Sequence, residues 1–381
     1  MNSIYFDNAA TTPVADEVLD AMIPYLKTNF GNSSSIHSFG KSAKVLIEDT
    51  RDLISQIIGS KPREIYFTSG GTESNNQSLK GLAFASLDTK KNEFITTKIE
   101  HLAVLDTLNY LKEKFGFKIH FIETDNYGFI NFDSLNEKIN ENTLCVSVMH
   151  SNNETGVIND INKISEYKNK NNFTIHSDTI QSFGKGILKL TELNCDIATI
   201  SSHKIYGPKG IAAVYIKDKI KTDKFIHGGS QERNSRGGTE NIPGIAGFKK
   251  ALEILISKYE SDILHYTKIK NYIIENLKKD FRDKLILNTP EKNSLPNIIN
   301  LSVNLEKSNV DPEMLLILLD LDGIAVSGGS ACTSGSHKPS HVLLSLGIDE
   351  KTALATIRIS IGRYNTLEEA DKLIKVLKKI I

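Results

Sequence analysis

Six short apolar runs, set among longer stretches of helical period, dominate residues 64–216 of this chain. They lie at 64–68, 94–97, 144–149, 173–178, 196–201 and 211–216, and a polar residue follows each. Runs of that length, rich in β-formers, read as strands. Leu46, Thr50, Leu53, Ile54, Ile57 and Ile58 recur at helical spacing before Gly59. Strands alternating with helices imply an α/β fold with a mostly parallel sheet covered on both faces. In such sheets ligands bind beyond the carboxyl ends of the strands. Polar residues collect at those ends in five places, which predicts one composite site.

The last third differs. Residues 298–303, 314–319, 325–327 and 356–360 suggest a smaller α+β unit, with a boundary near residue 260. Ala370, Leu373, Ile374, Leu377 and Ile380 share one face of a terminal helix. The 381 residues include 46 Lys+Arg and 46 Asp+Glu, a balance that leaves no electrostatic footprint for nucleic acid or an anionic membrane. No signal peptide or membrane-spanning run is visible. Cys145, Cys195 and Cys332 are few and far apart, which fits a reducing cytosol and gives no zinc-like spacing. The stretch 168–172 reads as a solvated loop or helix end.

The strand ends carry the chemistry. At Ser69-Gly70-Gly71-Thr72 a strand stops, two glycines turn the chain and a helix starts. Free N–H groups at a helix N-terminus suit a phosphate, with the Thr72 hydroxyl beside them. A plain turn and N-cap explains the same residues. Lys204 follows Ser201-Ser202-His203 and precedes a turn at 206–210. A lysine past a strand end is usually solvated, but one held in a crowded site can have a lowered pKa and form a Schiff base. Lys209 is its rival. Lys204 is preferred because Ser201 and His203 stand beside it as phosphate ligands.

Asp178 either caps a helix or pairs with a pyridine nitrogen, keeping that ring protonated as an electron sink. Gln181 would then bond the phenolic oxygen of the ring. His101 is either structural or stacked on the ring, and Asn153 sits in a stretch that also reads as an ordinary Asn-rich turn. Cys145 and Cys195 lie in or beside apolar runs and read as packing residues. Cys332 lies among Gly and Ser residues too small to shield it. An exposed thiol oxidises, so it is either incidental or kept for use.

Taken in order, these motifs resemble the cysteine desulfurases of the NifS/IscS type, within the aspartate-aminotransferase-like enzymes that use pyridoxal 5'-phosphate (PLP). The resemblance is carried by Tyr5-Phe6-Asp7-Asn8-Ala9-Ala10-Thr11-Thr12-Pro13, Phe30-Gly31-Asn32-Ser33-Ser34, His37, the 69–73 turn and Glu100-His101. It continues through Asn152-Asn153-Glu154-Thr155-Gly156, His176-Ser177-Asp178, His203-Lys204, Ser330-Ala331-Cys332-Thr333-Ser334 and Arg358-Ile359-Ser360-Ile361-Gly362-Arg363.

The resemblance implies the PLP-dependent transferase fold (fold type I). A large domain over 15–260 would carry a mainly parallel seven-stranded sheet. A small α+β domain, built from 1–14 and 261–381, would carry the Cys332 loop. It implies that Lys204 holds the cofactor, that Gly71, Thr72, Ser201 and His203 hold its phosphate, and that Asp178, Gln181, His101 and Asn153 set the ring. Thr239 matches a residue that reaches the phosphate of a neighbouring subunit, which implies a homodimer. Arg358, with Asn153, would bind the substrate carboxylate.

The implied reaction converts L-cysteine and the Cys332 thiol to L-alanine and a Cys332 persulfide, with Lys204 as general base and acid and His101 aiding proton transfers near the thiol. The sulfur would pass to an iron–sulfur scaffold or another acceptor, or to tRNA thiolation, in the cytoplasm. A selenocysteine lyase, an aminotransferase or a kynureninase-like lyase are the alternatives, and the Cys332 loop argues against the last two. Three departures stand out: Thr179 replaces a usual Ala, Gly328 replaces a frequent Ser, and the chain stops at Ile381 without the longer tail some members use for docking.

Overall fold

The computed structural model describes residues 3–169, 171–328 and 338–381. Within them the strands are β1 (Ile4–Tyr5), β2 (Ile65–Thr68), β3 (Glu93–Thr97), β4 (Lys118–Ile122), β5 (Thr143–Ser147), β6 (Thr174–Asp178), β7 (Ile197–Ser201), β8 (Ala212–Ile216), β9 (Leu285–Leu287), β10 (Ile298–Val303), β11 (Ile324–Ala325) and β12 (Thr356–Ser360). Seven of these form one sheet in the order β2-β8-β7-β6-β5-β3-β4. The pairs from β4 through β7 are parallel, and β8 runs antiparallel to β7 and β2.

The six expected runs coincide with β2, β3, β5, β6, β7 and β8. β4 has no counterpart in the sequence reading. It is an edge strand whose Lys118 and His120 both reach Glu93 on β3, and polar residues used in this way mask a strand's apolar pattern.

Alternate residues of the central strands serve opposite faces, as the period of two requires. Ile95, Val146, Ile175, Ala198 and Ala213 join one core with the helices Ser38–Ile58 and Ile242–Phe281. Phe94, Cys145, Ile197 and Val214 join another with the helices Gly71–Ala85 and Leu102–Phe115. Each fully buried Leu or Ile contributes roughly 1.5–3 kcal/mol. Gly59, at φ 80°, ends the helix Ser38–Ile58 in the left-handed region that glycine tolerates.

A further core gathers Ile4, Phe6, Leu301, Val303, Ile357 and Ile359 against Leu373 and Leu377 of the terminal helix Leu367–Ile380. That helix starts with a reciprocal Thr366–Glu369 capping box. The expected division near residue 260 falls inside the helix Ile242–Phe281. Its first half packs Ile245, Phe248, Leu252 and Leu255 on the large-sheet core. Its second half packs Tyr266, Ile269, Ile273 and Leu277 on the other. Lys168 is more anchored than the solvated reading of 168–172 suggests, because its amine pairs with Asp196. Among the described residues no helix is long and apolar enough to cross a membrane.

Candidate active site

The carboxyl ends of the parallel strands open into a cleft of about 360 Å³. Its walls include Gly71, Thr72, His101, Asn153, Asp178, Gln181, His203 and Lys204, residues from five separate segments. Lys204 sits in the short turn that follows β7, and its Nζ donates to the carbonyls of Ala9 and Ala10. The segment Asp7–Thr12 therefore lies across the lysine. Lys209, the rival, is exposed and lines a different groove with Tyr5 and Leu19.

Asp178 ends β6. Its Oδ2 accepts from Asn75 Nδ2 at 2.7 Å and its Oδ1 from the Ile180 amide at 3.0 Å. Asn75 lies one helical turn beyond Gly71, so it looks back into the cleft. The i, i+4 relation to Gly71 could have identified it from sequence. Gln181 donates Nε2 to Ala9 O at 2.9 Å, while its Oε1 is buried and has no partner among the described residues. Thr179 is fully buried and donates its hydroxyl to Thr199 O, tying β6 to β7.

His101 is the N-cap of its helix, and Nδ1 accepts the Ala103 amide at 3.0 Å. With Nδ1 accepting, a neutral ring carries its proton on Nε2. Burial lowers its pKa first, and the charges of Lys204 and His341 act in the same direction against Asp178. His101 is therefore neutral at physiological pH. Behind it Glu100 is buried, and burial, with the Asp178 charge, pushes its carboxyl up to about 8 although Met149 N and Thr97 Oγ1 donate to it. His203 is held by Thr11 Oγ1, and burial with the nearby lysines brings its pKa down to about 3.

Ser201 lies just outside the lining, with a buried hydroxyl that has no partner among the described residues. An added Cβ at Gly71 would meet Ile180 Cδ1 at 2.1 Å, so a larger residue where the helix begins would have to displace the end of that side chain. A helix N-terminus, a bonded carboxylate and a lysine in one cleft, with the orphaned Ser201 hydroxyl just outside it, fit a phosphorylated aromatic aldehyde. Among the described residues no cluster of His, Cys, Asp and Glu could hold a metal ion.

Arg358 on β12 is 2 % exposed and borders the cleft through Asn153, whose carbonyl accepts from Nη1 at 3.0 Å. Its Nη2 donates to Asp7 Oδ1 at 2.8 Å, and Nε has no partner among the described residues. Its backbone bonds to Ser327 in both directions. Further on, Ser340 donates to Glu154 at 2.6 Å, and His341 Nε2 lies 3.0 Å from Glu100 O. Cys332 itself lies outside the described residues. Thr239 is not in the Lys204 cleft and lines another with Ser69, Glu232 and Arg236. Sequence reasoning missed Asn75, and it did not single out Asp7 or His341.

The family model described as Aminotransferase class-V matches residues 4–373. The cysteine desulfurase IscS of Dictyoglomus turgidum is 44% identical over 378 residues, covering 99% of this chain and 94% of the relative. A solved NifS-like protein superposes with a TM-score of 0.91 at 36% identity, covering 99% of each chain. SspA, solved in complex with cysteine, superposes at 0.79 with 34% identity, covering 95% of this chain and 99% of that one.

Proposed function

We infer the reaction from one premise: this chain belongs to the class-V aminotransferase family, whose enzymes depend on PLP. On that premise it is a cysteine desulfurase, taking sulfur from L-cysteine onto Cys332 and releasing L-alanine. The observation that carries the assignment is the convergence of Lys204, Asp178 and His101 on one cleft, with both ends of the Cys332 segment beside it. Ser327 is bonded to Arg358, and His341 rests on the Glu100 carbonyl next to His101. Cys332 lies four positions beyond Gly328, a reach of at most about 14 Å.

PLP, when bound, supplies an electron sink for the bonds around the substrate α-carbon. Lys204 would hold it, Asp178 and Gln181 would fix its ring edge, and Gly71, Thr72, Ser201 and His203 its phosphate. Asn75 aims the Asp178 carboxylate by donating to it. Arg358 and Asn153 take the substrate carboxylate. Lys204, once released, removes the α-proton and returns one to the product. The Cys332 thiolate attacks the substrate sulfur: the S–S bond forms, the Cβ–S bond breaks, and Cβ regains a proton as alanine leaves. His101, neutral and with a proton on Nε2, supplies or accepts protons beside the two sulfurs.

The protein would act as a homodimer. Thr239 stands away from the Lys204 cleft of its own chain, and the first two helices expose Leu19, Leu26, Phe39 and Val45. A sulfur acceptor protein would receive the persulfide, in the cytoplasm, where thiols such as Cys145 and Cys195 stay reduced. Incubation with cysteine should give alanine and a persulfide that mass spectrometry maps to Cys332. Cys332→Ala should keep the cofactor's visible absorption and lose alanine release. Full alanine production by that variant would refute the sulfur-transfer role. Selenocysteine, run in parallel, separates a lyase from a desulfurase.

A further inference from the structure

Alternation along β10 and β12 gives their shared sheet two unlike faces. Ile299, Leu301, Val303, Ile357 and Ile359 join the core that also takes the terminal helix. The opposite face carries Asn300, Ser302, Thr356 and Arg358, and all four are buried at 2 % exposure or less. A face that only had to pack could have been apolar too, so these polar groups need another reason. They are joined in a chain whose direction the donors fix. Thr356 Oγ1 donates to Thr352 O, so Ser302 Oγ donates to Thr356 at 2.7 Å. Asn288 Nδ2 donates to Ser302 Oγ at 2.8 Å and to Asn300 Oδ1 at 2.7 Å. That leaves Asn300 Nδ2 at the end of the chain, where it donates to Glu154 O at 3.2 Å.

Asn300 stands directly opposite Arg358 in the antiparallel pair, so their side chains share a face with Cβ atoms about 5 Å apart. Both reach the turn at 152–156, and they take consecutive carbonyls. Arg358 Nη1 donates to Asn153 O at 3.0 Å, and Asn300 Nδ2 donates to the next one, Glu154 O. The turn is held elsewhere by Asn152 Nδ2 on Ile99 O and by Ser340 on the Glu154 carboxylate. Of residues 151–157 only Asn153 is not buried, and it lines the cleft. Asn300 is thus one bond from the turn that presents Asn153 and directly across the ladder from Arg358.

We propose that Asn300 is a positioning residue for substrate binding, whose amide, aimed by Asn288, sets the spacing between Arg358 and the turn that presents Asn153. The proposal rests on reading Arg358 and Asn153 as the site of the substrate carboxylate. A guanidinium takes a carboxylate well only when its fork meets both oxygens in plane. Without the Asn300 donor, Glu154 O loses this bond and the β10–β12 face holds the turn through Arg358 Nη1 alone. The fork then follows a looser turn and fits the carboxylate less well. Asn300 does not line the cleft, so it acts through Arg358 and Asn153.

The test uses the PLP-loaded enzyme with Asn300→Leu, Asn288→Leu, Arg358→Lys, and Asn300→Leu combined with Arg358→Lys. Cysteine KM and kcat are measured. Binding of cysteamine, which has the thiol and amine of cysteine and no carboxylate, is followed by the cofactor's visible absorption. Asn300→Leu should raise KM about tenfold and leave kcat within about twofold of the parent's. Asn288→Leu, one bond further away, should raise KM about threefold. Cysteamine should bind both variants as it binds the parent, and the double variant should lose no more than Arg358→Lys does. A parent KM in Asn300→Leu, an equal weakening of cysteamine, or losses that multiply in the double variant would each overturn the proposal. If Asn300→Leu does not fold, the KM and cysteamine affinity of Asn288→Leu decide in the same way. Arg358→Lys with the parent's KM overturns the carboxylate reading and this one with it. A raised KM there beside an unchanged one in Asn300→Leu overturns this one alone.

Discussion

Arg358 in β12 and Arg363 just past its end stand five positions apart; the first is buried, the second only partly exposed, and each pairs with an aspartate. Their guanidinium forks are used differently. Arg363 spends its fork on one carboxylate: Nε reaches both oxygens of Asp262 at 3.2 and 3.0 Å, and Nη2 reaches Oδ2 at 2.7 Å. It also stacks on Tyr206, 4.3 Å from the ring centre. Arg358 gives one nitrogen to Asp7, one to a backbone carbonyl, and leaves Nε unpartnered among the described residues. A closed fork ties the helix Ile242–Phe281 to the Lys204 turn. A fork divided between weaker partners can be claimed by an incoming carboxylate. Two arginines in nearly the same place are thus separated by how completely their donors are spent.

Arg363→Met should give the largest effect, because it leaves Asp262 buried and unpaired. Stability should fall by about 3–5 kcal/mol in denaturant unfolding, with the cysteine KM of the folded fraction little changed. An unchanged midpoint would erase the contrast. Arg358→Lys keeps the charge and loses the fork. We expect turnover per KM to fall on the order of 100-fold, about 2.7 kcal/mol, with a smaller loss of stability. A KM equal to the parent's would remove Arg358 from the substrate site.

Asp7→Asn sharpens the contrast from the other side. It frees Arg358 from its carboxylate, so cysteine should bind more tightly, by a factor of a few, with stability lower by about 1 kcal/mol. Unchanged affinity would mean that Asp7 does not compete with substrate.

The smallest change concerns Glu154, beside Arg358. Burial holds its carboxyl up at about 7, although Ser340 and the Arg358 charge pull it down. Between the ordinary carboxylate value and about 7 the folded state binds more protons than the unfolded state, so this group costs stability as pH rises through that window. Glu154→Gln should flatten that fall, as seen in unfolding midpoints measured at mildly acidic and neutral pH. An identical slope would show that the carboxyl titrates as it does in the unfolded chain.

The same contrast marks what could be read from sequence. Lys204, Asp178, Gln181 and His101 follow strands, and strand ends are visible as apolar runs that stop, so the cleft could be anticipated residue by residue. Asn75 was hidden because it sits inside a helix, where an asparagine has no strand end to mark it. β4 was hidden by its polar edge residues, and β9 is only three residues long. The division near residue 260 could not show that one helix crosses it, because the helical pattern of 242–281 is continuous while its buried face changes core.

That long helix has a mechanical consequence. At about 1.5 Å per residue its 40 residues form a beam on the order of 60 Å long, clamped at one end by the large-sheet core and at the other by the second. Arg363 and Asp262 act as a rivet near its midpoint, joined through Tyr206 to the turn that holds Lys204. The two cores are thus joined by continuous helix, and the lysine's own footing is tied to the middle of it.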